Sequence, residues 1–191
     1  MEMDVKKLTE FLRSIGAEGN EHAGKTYIAH VTKVFQDLKE WGCGEAVCLA
    51  GIFHSIYGTE KFKGFTLPVE RRDEIRSLIG ERAEQLAYWN CAMCRLSFDK
   101  VLERGTPPFV IVDRITGGEF ALSPAEFDDL CRLHLCDWLE QLPRCRDWNY
   151  RREAYRLMSE HLGGVAREAY ELVYSQEVEA MRGELVRGIR L

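Results

Sequence analysis

The chain has 191 residues, of which 46% are hydrophobic and 30% are charged. This balance is ordinary for a globular protein that buries a core, and we expect one domain over residues 1–191, with its core at about 4–142 and C-terminal helices at about 150–190. The net charge of −5 argues against nucleic-acid binding through a basic surface.

Targeting signals and cysteine usage both predict a cytoplasmic protein. No apolar run approaches the roughly 18 residues that a membrane-spanning helix needs, so we expect no membrane partner. The first residues, MEMDVKKLTEF, lack the apolar core of a signal peptide. The seven cysteines are odd in number and mostly lie in helical patterns, which predicts reduced thiols used as small core residues. Cys91 and Cys94 form a lone CxxC, for which a redox or zinc role is the less favoured interpretation.

Three helical segments are expected in the N-terminal part of the chain, at 5–15, 24–42 and 45–56. A loop containing His22 separates the first two. The third segment is apolar with almost no polar face, which predicts a buried central helix. It leads directly into His54, and a histidine in such a place needs a partner, because an unpaired buried polar group costs about 1–3 kcal/mol.

The middle of the chain predicts further helices and one small hairpin. We expect a loop at 61–68, helices at 69–79 and 81–96, and a short helical turn at 97–105. Residues 109–112 are β-prone, and a glycine pair separates them from residues 119–122, so the two segments are predicted to pair as a hairpin.

A long helix is predicted after the hairpin. Ser123 to Glu126 form a capping box with proline at the first helical position, and the helix is expected to end at about residue 142, before Pro143. Its inward stripe includes Asp137, a carboxylate that needs a cation or several donors if it is buried. Two further amphipathic helices are expected at 151–162 and 165–175. The predicted fold class is therefore all-α with one small β-hairpin.

Three inward polar residues stand out on these helices: His30, His54 and Asp137. Two imidazoles and one carboxylate can form an open metal site that leaves positions for water and substrate. The spacing alone leaves another interpretation open, in which three core polar residues are satisfied separately.

Three stretches of the sequence, YIAHVTKVFQDLKEWG, CLAGIFHSIYGTE and LHLCDWLEQL, resemble the HD-domain superfamily, whose pattern is H…HD…D on a helical core. The phrasing is similar to the guanosine tetraphosphate hydrolase domains of the stringent response over about residues 24–142. The phrase AGIFHSIYGTE also resembles an uncharacterised bacterial HD-like family over most of the chain. The resemblance implies that His30, His54 and Asp137 bind a divalent metal ion such as Mn, Fe or Zn.

The sequence departs from the superfamily at Ser55, which stands where the aspartate of the HD pair is expected. A serine hydroxyl is a poor divalent ligand, but it can hydrogen-bond another ligand or a water molecule. Glu60 lies near the acidic pair that some relatives use to position water. The resemblance therefore implies catalytic roles for Ser55 and Glu60, with Glu60 or His22 assisting proton transfer. An exposed Glu60 and a simple loop His22 are the alternatives.

The function expected from these residues is metal-dependent hydrolysis of a nucleotide or another phosphorylated small molecule, in which the ion activates water and polarises a phosphoryl oxygen. Two other functions stay open: an HD-type iron oxygenase, and a degenerate fold that binds a small molecule or a protein without catalysis. The candidate anion contacts are Lys25, Lys61, Lys63 and Arg114. The aromatic residues expected near the pocket are Tyr27, Phe53, Tyr57, Trp89 and Trp138.

Overall fold

A computed structural model describes residues 5–17, 21–22 and 25–188, with the backbone alone for 21–22, 179 and 181–188. The regular secondary structure of the described chain consists of helices and two small antiparallel strand pairs. The predicted all-α fold class with a small hairpin is therefore confirmed.

The elements follow one another in a simple order along the chain. The helices are α1 (Val5–Ser14), α2 (Tyr27–Glu40), α3 (Glu45–Phe53), α4 (Arg72–Ile79), α5 (Glu81–Ala92), α6 (Arg95–Arg104), α7 (Pro124–Cys145), α8 (Arg152–Leu162) and α9 (Gly164–Gly188), with a 3₁₀ turn at Val69–Arg71. The strands are β1 (Glu21–His22), β2 (Lys25–Thr26), β3 (Phe109–Val112) and β4 (Glu119–Leu122).

The predicted hairpin is β3–β4, with Phe109 opposite Leu122. The β1–β2 pair was not predicted. Its first strand lies in the expected loop that contains His22, and its second strand lies at the start of the helix expected at 24–42. Its second strand ends at Thr26, whose hydroxyl accepts a hydrogen bond from the backbone of Ala29 and begins α2. Helix α2 therefore starts later than the sequence pattern predicted.

Several other predicted helix boundaries are wrong. The helix expected at 81–96 breaks at Met93 and Cys94, because the Cys94 amide donates to the carbonyl of Val112 in β3 instead of continuing the helix. Helix α7 continues past Pro143 to Cys145, and its last turn is held by Arg144, which pairs with Glu140 one turn earlier. The final helix is also longer than predicted, since α9 runs from Gly164 to Gly188.

Helix α3 lies at the centre of the core and contacts α2, α5 and α7. Seven of its nine residues are buried, as its apolar sequence predicts. The approach to α2 is close at Gly51, where an added Cβ would lie 2.8 Å from Cδ1 of Leu38. This close contact brings the end of α3 next to the inward face of α2.

Within the described chain, no helix combines the length with the apolar character that crossing a bilayer requires.

Candidate metal centre

The structure brings His30, His54 and Asp137 together at one buried point. His30 lies on the inward face of α2, His54 caps the C-terminal end of α3, and Asp137 lies in the middle of α7. Their exposures are 0%, 1% and 8%. The contacts of α2 and α3 with each other and with α7 are therefore what assembles the group.

One atom of each residue faces the same small space. Nε2 of His30 lies 3.0 Å from Oδ1 of Asp137 and 3.3 Å from Nε2 of His54. Nε2 of His54 lies 3.2 Å from the same carboxylate oxygen. Ligands about 2.1 Å from a transition-metal ion are about 3.0 Å apart at a right angle and about 3.4 Å apart at the tetrahedral angle. The three separations fall in this range, so the group fits an ion.

The second nitrogen of each histidine has a partner of its own. Nδ1 of His54 lies 2.8 Å from the carbonyl oxygen of Gly51, and Nδ1 of His30 lies 2.5 Å from Oε2 of Glu140. Both partners accept, so both Nδ1 atoms donate. The lone pairs of the neutral rings are therefore on the Nε2 atoms, which both point at Asp137. Three acceptors that meet in this way require a cation, either a proton or a metal ion.

The pKa values of His30 and Asp137 are shifted in the directions that a shared cation requires. Burial would lower the pKa of His30, but its bonds to Asp137 and Glu140 outweigh burial and raise it. Burial would likewise raise the pKa of Asp137, but His54 and His30 hold it well below its usual value. The carboxylate is thus ionised and available as a ligand, and a bound metal ion would replace the shared proton.

Further residues hold the ligands in place. Nε2 of Gln141 donates to Oδ1 of Asp137 at 3.2 Å. Nδ2 of Asn90 donates to the carbonyl oxygen of His54 at 2.7 Å, and the thiol of Cys91 donates to the same oxygen at 3.2 Å. Burial raises the pKa of Cys91 to about 12, so it remains a thiol, and all seven cysteines are free.

Glu140 is a site residue that the sequence pattern did not single out. Its side chain is 2% exposed and also pairs with Lys25 and Arg144. Histidine ligands commonly donate their other nitrogen to a carboxylate, which fixes the ring and raises its basicity. The spacing of Glu140 three residues after Asp137 was a usable signal, because it places both carboxylates on one side of α7.

A cavity of about 260 Å³ opens beside the group and is bordered by His54 and Asp137. Its other polar walls include Ser55, Thr59 and Gln141. Its apolar surface comes from the aromatic rings of Phe62, Trp138 and Tyr155. Two of the three candidate metal ligands, His54 and Asp137, therefore border a space that can hold a small molecule.

The predicted catalytic residues lie in different places. Ser55 borders the cavity and is 1% exposed, and its hydroxyl donates to the hydroxyl of Tyr27 at 3.1 Å. Glu60 is exposed, and its carboxylate accepts a hydrogen bond from the Arg95 amide at the start of α6. It is not among the described residues that line the cavity. The side chain of His22 falls outside the described part of the chain.

The four residues predicted as anion contacts also lie in different places. Lys61 lines the cavity, and Lys63 is exposed away from it. Lys25 pairs with Glu140, and the guanidinium of Arg114 donates to the carbonyls of Cys91 and Gly58. Arg95 lines the cavity and was not predicted.

Of the predicted aromatic residues, Trp138 lines the cavity. Tyr27 bonds Ser55 as described above, and the others belong to the buried core, namely Phe53, Tyr57 and Trp89.

The fold and the site define an all-α protein with a buried group of two histidines and one carboxylate beside a cavity. A family model described as a domain of unknown function (DUF6817) matches residues 11–95. The match includes His30 and His54 and ends before Asp137, so the chain is similar to that family over less than half of its length. Comparison with curated proteins and with solved structures gives no match.

Proposed function

We propose that this protein is a metal-dependent hydrolase of a small phosphorylated molecule. The observation that carries the proposal is the convergence of Nε2 of His30, Nε2 of His54 and Oδ1 of Asp137 at 3.0–3.3 Å from one another. Both Nδ1 atoms are engaged by other acceptors, so the three converging atoms are oriented as ligands. Three protein ligands beside a cavity leave coordination positions for water and substrate.

The residues of the chain have distinct parts in this chemistry. His30, His54 and Asp137 would hold a divalent ion, which supplies a Lewis acid that lowers the pKa of water and polarises a phosphoryl oxygen. Water provides the oxygen that joins phosphorus, the ester P–O bond breaks, and the alcohol leaves with one of the protons of water. The reaction needs no redox partner.

The resemblance to the HD-domain superfamily supports this function, with Ser55 as the departure. We place Ser55 in a supporting role, because its hydroxyl proton is donated to Tyr27 while the residue lines the cavity, where its oxygen can accept a hydrogen bond from a water molecule. A cytoplasmic location belongs to the same proposal and is supported by the seven free cysteines, since reducing compartments keep thiols free.

A second candidate is an iron-dependent oxygenase. Two histidines and one carboxylate with open positions are the ligand set of many non-haem iron oxygenases. Within the described residues this is a single group of three, so the second candidate would be a mononuclear iron enzyme and not a di-iron one.

The test begins with metal content. Purified protein is analysed for bound elements and titrated with Mn²⁺, Zn²⁺ and Fe²⁺, together with the variants His54→Ala and Asp137→Asn. His161→Ala is the matched control, because His161 is a surface histidine paired with Asp128. We expect stoichiometric metal in the wild type and the control, and its loss in the two site variants.

Activity is tested next, by phosphate release from a panel of phosphomonoesters and nucleotides with each metal. Release that requires both the metal and His54 supports the hydrolase. Oxygen-dependent turnover of the iron form without phosphate release would favour the oxygenase. A protein that binds none of the ions, and whose stability a chelator leaves unchanged, would contradict both candidates.

A further inference from the structure

Arg95 carries a buried positive charge that no described carboxylate neutralises. It is 8% exposed, and its Nη1 donates to the hydroxyl of Tyr150. Among the described residues, no ion pair is formed by its side chain, and Glu60 bonds only its backbone amide. A guanidinium has five N–H donors, so most of them are left for another acceptor.

Other arginines in partly buried positions have acceptors for their guanidinium groups. Arg114 also lacks a described carboxylate partner, but it donates to the carbonyls of Cys91 and Gly58. Arg72 donates two hydrogen bonds to Glu84, and Arg151 is held by Asp99 through two nitrogens. Buried charges in proteins are normally paired in this way, because an unpaired one loses its hydration without compensation. Among the described residues, the Arg95 guanidinium has neither a carboxylate nor a carbonyl acceptor, so its partner is expected to come from outside the chain.

The position of Arg95 indicates where that partner would bind. Arg95 borders the same cavity as the metal ligands His54 and Asp137. Lys61 also lines this cavity, and its Nζ lies 3.9 Å from the centre of the Tyr150 ring. Lys61 and Arg95 therefore both contact Tyr150. Lys61 is paired with Asp147 at 3.0 Å, which leaves Arg95 with the unneutralised charge.

The charges of the loaded site indicate the substrate class. Only the charged groups that line the cavity are counted: a divalent ion would bring two positive charges, Asp137 offsets one of them, Arg95 adds another, and Lys61 is neutralised by Asp147. The surplus of two matches the dianion of a phosphomonoester, whereas a phosphodiester carries one negative charge. The cavity of about 260 Å³ lies below the range of about 300–1,000 Å³ that is typical of drug-sized ligands, so the ester is small. The aromatic wall suits an apolar or planar organic group.

From these observations we infer that Arg95 binds the phosphoryl oxygens of a small phosphomonoester dianion. Guanidinium groups suit this role because their planar fork matches two phosphate oxygens. The inference deepens the proposed function and rests on it for the reaction, but anion binding by Arg95 can be measured without turnover.

The experiment measures binding of inorganic phosphate by calorimetry, with the protein metal-loaded and chelator-treated. The variants are Arg95→Gln and Arg95→Lys. Lys100→Gln is the matched control, because it removes a positive charge from an exposed position of the same helix, α6. We expect phosphate affinity to fall at least tenfold in Arg95→Gln, to recover in part in Arg95→Lys, and to be unchanged in the control.

Thermal unfolding separates this role from a structural one. Phosphate should raise the melting temperature of the wild type and not that of Arg95→Gln, while Arg95→Gln without phosphate should melt at or above the wild type. Phenyl phosphate should bind more tightly than methyl phenyl phosphate, which is similar in size but carries a single charge.

Equal phosphate binding by the wild type and Arg95→Gln in both preparations would overturn the inference, as would equal binding of the two esters. Failure of the proposed function looks different. In that case no metal binds and no phosphate is released, while Arg95-dependent phosphate binding persists in the chelator-treated protein.

Discussion

Nδ1 of His30 donates to Oε2 of Glu140 across 2.5 Å, and both side chains are buried. Burial alone would raise the pKa of Glu140, but bonds from His30, Arg144 and Lys25 lower it to about 2. Glu140 is therefore an ionised acceptor at any pH where the protein is expected to function. The bond fixes the rotation of the imidazole so that Nε2 points at Asp137.

Replacement of this acceptor should weaken metal binding without removing a ligand. In Glu140→Gln the acceptor loses its charge, and we expect metal affinity to fall by about 10- to 100-fold, as is typical for partners of metal-binding histidines. The measurement is a competition titration against a chelator. Glu153→Gln is the control, because Glu153 is an exposed carboxylate on α8 that pairs with Arg156. Equal affinities in the two variants would show that Glu140 does not orient His30.

Replacement of Ser55 by aspartate, the residue expected in the HD pair, should make the free energy of unfolding depend on bound metal. Ser55 is 1% exposed, so Ser55→Asp places a carboxylate in the buried site. Without metal we expect a loss of about 1–3 kcal/mol in the free energy of unfolding, because the new charge is desolvated. With saturating Mn²⁺ this loss should shrink, since the added carboxylate can join the ion.

Urea unfolding with chelator and with Mn²⁺ measures both states. Ser55→Ala serves as the control, because it removes the bond to Tyr27 without adding a charge, and its effect should be the same in both conditions. If the aspartate variant loses as much stability with Mn²⁺ as with chelator, no ion lies near Ser55.

The surroundings of His134 predict how the free energy of unfolding changes at acidic pH. Its Nδ1 donates to Oδ1 of Asn90 at 3.1 Å, and its Nε2 accepts from Arg151 at 2.7 Å. Burial, followed by the charges of Arg151 and Arg95, holds its pKa well below the ordinary value. The folded protein thus keeps His134 neutral in a range where the unfolded chain binds a proton.

The direction in which the free energy of unfolding changes with pH follows from proton linkage. Below about pH 6.5 the unfolded state binds one more proton at His134 than the folded state, so stability falls as pH decreases, by up to about 1.4 kcal/mol per pH unit until the folded pKa is reached. In His134→Asn this contribution disappears, although the variant is less stable overall. Urea unfolding of both proteins between about pH 7 and pH 5, in chelator, compares the slopes. Parallel curves would contradict the prediction.

The sequence pattern was sufficient to place the three candidate ligands inward because each one breaks an apolar face. His30 and Asp137 share stripes with buried neighbours, and His54 ends a segment that is apolar all round, so periodicity alone placed them inward. The resemblance to HD domains then grouped them. The capping box at Ser123 fixed the start of α7 in the same local way.

Periodicity could place Glu140 on the same side of α7 as Asp137, but it could not show that Glu140 is buried, because a charged residue on a helix is usually solvated. Glu140 pairs with Lys25 and His30, which lie far from it in the chain, and with Arg144 on the same helix. Arg95 follows a helix break that depends on pairing with β3, so its place at the cavity is set by tertiary structure. The extension of α7 past Pro143 is different, because the pair between Arg144 and Glu140 that accompanies it is local to the helix.

The close approach of α2 and α3 should be required for the metal site as well as for stability. In Gly51→Ala the new Cβ would lie 2.8 Å from Cδ1 of Leu38 and 3.3 Å from Cγ1 of Val34. Both side chains are fully buried, so either they or the helix that carries them must shift. We expect a loss of about 1–3 kcal/mol in the free energy of unfolding, as for other overpacked cores. Metal affinity should fall too, because His30 and His54 lie on the two helices that would separate.

The matched control is Gly44→Ala at the start of α3, where an added Cβ meets nothing within 4 Å and φ is −63°. It should cost only a few tenths of a kcal/mol to about 1 kcal/mol through the helix cap, and should leave metal affinity unchanged. Urea unfolding and a metal titration on both variants separate the two effects. If Gly51→Ala were destabilised yet bound metal as tightly as the control, the ligand positions would not depend on the contact between α2 and α3. His54 would then be held by its bonds to the Gly51 carbonyl, Asn90 and Cys91.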